Sequence, residues 1–204
     1  VTSVLVSYLL TCIAIELTPG PNMAYLALLS AERGRLAGLF AVSGVALGLG
    51  VLGALAALGV GEFIVGQPML YEVLRWAGIG YLVYLAYDAW ADAQRPVDVL
   101  DPAQVGWRSF RHGLVNNLLN PKAALFYITV MPSFLVADRP ALGQTLLLGA
   151  IYVAVATAIH ALVVLLAGSL QPLLTRPGSR RVMGGVFAAL LVGVAIWVGA
   201  TTAR

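Results

Sequence analysis

Charge is scarce in this sequence. Only 10% of its 204 residues are charged against 60% hydrophobic, with a mean hydropathy of +0.91, whereas soluble domains carry roughly 25% charged residues. A soluble globular fold is therefore excluded. One cysteine, Cys12, leaves no disulfide framework, and it has no Cys or His neighbour in sequence, so no metal-ligand cluster is expected and Cys12 reads as core packing. The two histidines, His112 and His160, have no Ser, Cys or carboxylate partner in a motif, and H-E-x-x-H is absent, which argues against an intramembrane enzyme. No cofactor is implied. Lys and Arg are few and spread over short connections, so the net charge of +3 does not indicate nucleic-acid binding.

Long apolar runs are what the chain does have. Residues 36–60, 141–175 and 182–203 are free of charge, and each exceeds the ~20 residues that cross ~30 Å of hydrocarbon as helix. Six spans are predicted, at 2–31, 36–60, 68–90, 113–136, 141–170 and 182–203. The first has no positive segment before it and reads as a retained span. The fold class is thus all-α, a polytopic membrane protein forming one domain embedded in the lipid bilayer. Residues 91–109 carry Asp92, Arg95, Asp98, Asp101 and Arg108 with two prolines, and form a linker between halves 1–90 and 110–204. Three spans in each half force the second into inverted topology relative to the first.

Eight Lys and Arg residues fall on one side (Arg33, Arg35, Arg95, Arg108, Arg111, Arg176, Arg180, Arg181) and three on the other (Arg75, Arg139, Arg204). The positive-inside rule then places the linker in the cytoplasm and both termini outside it. Gly34 and Gly38, like Gly44 and Gly48, are spaced by four, a spacing that lets helix backbones approach closely. Intramolecular packing is the preferred reading, with a homo-oligomer seam as the alternative.

Spans one and four are interrupted, by Glu16-Leu17-Thr18-Pro19-Gly20-Pro21-Asn22 and by Asn116-Asn117-Leu118-Leu119-Asn120-Pro121-Lys122. A proline-broken helix survives at membrane depth only where it is buried or lines a cavity. Pro19 and Pro21 lack an N–H, Gly20 is conformationally free, and Thr18 and Asn22 can cap freed backbone groups. The restarting helix offers N–H groups to a carboxylate and the preceding end offers carbonyls to an ammonium, so a small zwitterion matches both. Glu16 is costly at that depth unless paired, hydrated or protonated, and is a proton-coupling candidate. Lys122 can meet a carboxylate, of the substrate or of Glu16, or snorkel to the surface. Asn116 and Asn120, four apart, are expected on one helix face. His160 is a second proton-coupling candidate, against the commoner reading of a hydrogen-bonded core histidine.

At these residues the chain resembles the lysine exporter superfamily, in its LysE/RhtB amino-acid exporter branch. Thr18-Pro19-Gly20-Pro21-Asn22 is similar to the family's first-span motif, Gly44-Val45-Ala46-Leu47-Gly48 to its second-span glycines, and Leu74-Arg75-Trp76-Ala77-Gly78-Ile79-Gly80-Tyr81-Leu82 to its third-span signature. Asn120-Pro121-Lys122-Ala123-Ala124-Leu125-Phe126, followed by Pro132-Ser133-Phe134, resembles the fourth. The resemblance implies a six-span protein of the bacterial inner membrane that exports amino acids or related metabolites on an ion gradient, and it adds Arg75 to the substrate-binding candidates. Cation export, which the wider superfamily includes, is the alternative.

Overall fold

The computed structural model describes residues 2–18, 20–59, 68–94, 102–136, 139–169, 171 and 180–201. Among them, α1 (Thr2–Leu17), α2 (Pro21–Ala57), α3 (Pro68–Gln94), α4 (Pro102–Leu118), α5 (Pro121–Leu125), α6 (Ala141–Gly168) and α7 (Arg180–Thr201) make an all-helical fold. A π-turn at Phe126–Val130 and a 3₁₀ turn at Met131–Phe134 follow α5. Pro132 lacks the N–H that a regular ladder requires, and such local π and 3₁₀ adjustments re-satisfy the freed backbone groups.

α2 is two helices in one. At Gly34 the backbone turns to φ 86°, ψ 172°, a combination essentially reserved for glycine. The chain bends there, between 21–33 and 35–57, where the sequence predicts the boundary of spans one and two. Two corrections concern helix extents. The linker expected at 91–109 is helical at both ends, with α3 running to Gln94 and α4 starting at Pro102. The helix that leads into the predicted fourth span accordingly begins before residue 113. Pro102 at the first position of α4 costs nothing, because the N–H it lacks would have no intrahelical acceptor.

Two helices, Pro21–Ala57 and Ala141–Gly168, are long and apolar enough to cross a membrane, and Val4–Leu17 and Gly184–Ala200 are shorter apolar helices. α2 packs most extensively against α4 and α6, and α3 against α7. The glycines of α2 set the first contact: a Cβ on Gly44 would stand 2.0 Å from the Phe110 carbonyl oxygen, and one on Gly113 would stand 2.1 Å from that of Ala41. Backbone meets backbone at this crossing, so the expected intramolecular role of the Gly44 and Gly48 spacing holds; Gly48 lies against Asn117. Cys12 is fully buried among Tyr8, Phe126 and Tyr152 in the main core. Where α3 meets α4, Arg108 pairs with Asp88.

Candidate functional site

The two breaks meet. α1 ends at Leu17 and α2 restarts at Pro21, while α4 ends at Leu118 and α5 restarts at Pro121, each restart with proline in its first turn. A Cβ on Gly20 would touch the Lys122 side chain, 3.1 Å from Cδ and 3.5 Å from Nζ. Residues about a hundred positions apart in sequence are thus placed in close contact, and a side chain at position 20 would require the Lys122 stem to shift.

At the second break Asn120 caps α5, its Oδ1 accepting from the Lys122 backbone N–H at 3.1 Å. The first break differs from expectation. Gly20 is the N-cap and supplies no side chain. Thr18 turns its hydroxyl back to the Ala14 carbonyl at 3.0 Å, and Asn22 is committed elsewhere. The Asn22 amide donates to Asn117 Oδ1 at 2.7 Å and its oxygen accepts from Asn116 Nδ2 at 3.0 Å. All three asparagines are buried. Asn116 and Asn120 do not share a helix face, because α4 stops at Leu118 and the break resets the helical phase before Asn120.

Glu16 is buried with 5% of its surface exposed, in the last turn of α1. Its Oε1 accepts from the Tyr152 hydroxyl at 2.6 Å and its Oε2 faces His160 Nε2 at 3.2 Å. Tyr152, Ala156 and His160 lie on one buried stripe of α6 at intervals of four, the spacing that aligns side chains along a helix. The Tyr152 ring stacks on Phe126 at 3.7 Å between centroids, which holds its hydroxyl over the carboxylate. His160 Nδ1 is buried without a hydrogen-bond partner.

Lys122 does not meet Glu16. Its Nζ donates to the carbonyls of Ile15 and Thr18, at 2.7 Å each. Helix ends leave their last carbonyls without intrahelical donors and carry the negative end of the dipole, so a cation is satisfied there. The ammonium is thus held on the end of α1, through one part-buried and one exposed bond.

Glu16, Gly20, Asn22, Asn120, Lys122, Tyr152 and His160 surround a small, partly open cavity of about 10 Å3, together with Met23, Leu49 and Ala123. That is the room a single water needs, too little for an amino acid, so the site is contracted in this conformation. Beside it lies an open, largely apolar groove of about 330 Å3 whose walls include Ile15, Thr18, Pro21, Phe126 and Trp197. Pro121 lines the groove, while Asn120 and Lys122 line both spaces. Of the remaining sequence-predicted residues, Pro19 and the Arg75 side chain lie outside the described residues; the Arg75 backbone belongs to α3.

Sequence reasoning missed Tyr152 and underweighted Asn117. Nothing local distinguishes Tyr152 from a packing tyrosine, although its distance of two four-residue intervals from His160 on an apolar helix places both on one face.

A broken-helix site enclosed by membrane-length apolar helices defines a membrane translocator. Residues 13–201 match the family described as LysE type translocator, and the chain belongs to that family. It is similar to two proteins named homoserine/homoserine lactone efflux protein, from Salmonella typhimurium strain LT2 and Salmonella typhi. Each is 31% identical over 144 residues, covering 70% of this chain and 70% of the relative. It is also similar to an uncharacterised membrane protein of Pseudomonas aeruginosa, 37% identical over 141 residues, covering 63% of this chain and 62% of that one. No solved structure matches the chain. The protein is accordingly a multi-pass membrane translocator of the LysE family.

Proposed function

We propose that the protein is a secondary active exporter of an amino acid or similar small zwitterion, of the homoserine class, driven by the proton gradient across the bacterial cytoplasmic membrane. The observation that carries this reading is the small polar cavity at the crossing of the two breaks, lined by the paired carboxylate and histidine and by a lysine whose ammonium is held on helix-end carbonyls. A zwitterion presents the same two charges in one small molecule. The names of the two Salmonella relatives support the substrate class.

In this reading the six spans form two inverted three-helix halves, with the linker in the cytoplasm and both termini outside. Equivalent proline restarts at Pro21 and Pro121 support the correspondence of the halves. Length supports it too, since at 1.5 Å per residue the 27 residues of α3 and the 22 of α7 reach about 40 Å and about 33 Å. Alternating access then rocks the halves about the crossing. Substrate-contact candidates are the break residues Glu16, Thr18, Gly20, Pro21, Asn22, Asn116, Asn120, Pro121 and Lys122, with Pro19 and Arg75 carried over from the sequence. Glu16 and His160 form the proton-carrying pair, oriented by Tyr152.

The test is purified protein in liposomes preloaded with L-homoserine, with a pH gradient imposed and release followed across a panel of competing amino acids. Gradient-dependent release is expected. Release that ignores pH and follows a sodium gradient would remove proton coupling, and no gradient-dependent movement of any amino acid would remove the export reading.

A further inference from the structure

Lys122 is the only lysine in the sequence, and its ammonium sits where the amino group of a substrate would be sought. Both of its carbonyl partners are at 2.7 Å, at the broken end of α1. Its stem rests on Gly20, where an added Cβ would stand a tight 3.1 Å from it. Lys122 also lines both the small polar cavity and the open apolar groove, so this side chain forms part of the wall between them.

We propose that the Ile15 and Thr18 carbonyls are the ammonium site of the transporter, filled by Lys122 when it is empty and by the primary amine of the substrate when it is loaded. Lys122 is then a specificity-determining residue. Its withdrawal removes the wall and joins groove to cavity, leaving room for the substrate side chain. The chemical class of the ligand rests on the exporter reading above; the existence of the site does not. An ammonium is a compact charge with three donors and no acceptor, so the tethered and the incoming group satisfy the same pair of oxygens and cannot do so together. Exchange of one for the other never leaves the helix-end carbonyls unpartnered, a state that would be costly at membrane depth. Molecules without a primary ammonium, such as N-acylated amino acids, cannot displace Lys122. This requirement would discriminate among substrates even though the groove itself is largely apolar.

The test has three arms on purified full-length protein in lipid nanodiscs. Reductive methylation of Lys122 in the wild type, read on that residue by mass spectrometry with an equal concentration of free amine supplied as Tris wherever L-homoserine is absent, should speed severalfold when saturating L-homoserine releases Lys122, and N-acetyl-L-homoserine should leave the rate unchanged. A slower or unchanged rate with L-homoserine shown to be bound would overturn the proposal, a slower one pointing to Lys122 as the carboxylate receptor. Lys122→Met removes the internal competitor and should bind L-homoserine about tenfold more tightly, the size expected when one charge-assisted bond no longer has to be displaced; weaker binding overturns the proposal. Propylammonium, which carries the charge and part of the lost stem, should saturably raise the melting temperature of Lys122→Ala and not that of the wild type. No such shift in folded Lys122→Ala overturns the site itself. If L-homoserine binds neither wild type nor Lys122→Met while propylammonium stabilises Lys122→Ala, the ammonium site stands and the homoserine-class reading fails. Should both variants fail to fold, the labelling arm on the wild type decides.

Discussion

His160 Nε2 stands 3.2 Å from Oε2 of Glu16, with both residues at least 95% buried. α1 delivers the carboxylate and α6 the imidazole, and no sequence motif joins them. Removing the imidazole leaves the buried Glu16 carboxyl with one polar partner fewer, and a buried polar group left unpaired costs about 1–3 kcal/mol. His160→Ala should therefore lower the melting temperature of the purified protein more than the double variant with Glu16→Gln, in which the carboxylate that needed the imidazole is gone as well. A double variant no more stable than His160→Ala would argue against direct coupling of the two groups.

Transport separates the role of Glu16 in coupling from its role in structure. Glu16→Gln keeps an oxygen for the Tyr152 hydroxyl, now 2.6 Å from Oε1, and fixes the side chain neutral. Exchange of L-homoserine across the membrane without a gradient should persist while accumulation driven by a pH gradient is lost. Tyr152→Phe should keep the ring stack on Phe126 and remove one hydrogen bond to the carboxylate, worth about 1.5–3 kcal/mol. Its coupling should weaken without vanishing. Equal gradient-driven accumulation by Glu16→Gln and wild type would leave Glu16 as a lining residue.

Asn22 joins the halves through amides. Asn22→Leu strands the Asn117 oxygen and the Asn116 amide, both now bonded to it, and buried polar groups left unmade cost about 1–3 kcal/mol each. Asn22→Asp keeps the acceptor for Asn116 and loses the donor to Asn117, so it should fall between the wild type and Leu in thermal stability. A neutral Asn22→Leu would mean that the amide cluster is already hydrated.

Close approach of α2 and α4 is tested at Gly44. An added methyl would stand 2.0 Å from the Phe110 carbonyl oxygen, and backbone cannot move aside as a side chain can, so Gly44→Ala should destabilise by at least the ~1–3 kcal/mol typical of overpacking. Gly50→Ala meets nothing within 4 Å and should be neutral or gain up to about 1 kcal/mol of helix propensity. Thermal unfolding in detergent distinguishes the two. Similar melting temperatures would contradict the crossing.

Topology is checked by reporter fusions. The excess of eight Lys and Arg over three predicts that a reporter behind Arg204 lies outside the cytoplasm and one inserted at 95–101 lies inside it. A C-terminal reporter active only in the cytoplasm would reverse the orientation.

Composition and pattern alone determined that the chain is helical and resides in a membrane, because long charge-free runs have no other stable environment. They also located both helix restarts, since a proline without an N–H is tolerated at the first position of a helix and disruptive within it. Pro21 and Pro121 begin α2 and α5 for that reason. The partners of the polar groups were decided only by tertiary structure. Lys122 was expected against a carboxylate and is held by two carbonyls; Asn22 was expected to cap a helix and binds two other asparagines; Tyr152 was not singled out. Local rules specify which groups a break leaves unsatisfied, whereas which donor reaches them depends on how helices distant in sequence cross. Here that crossing follows from the backbone contact that Gly44 and Gly113 permit.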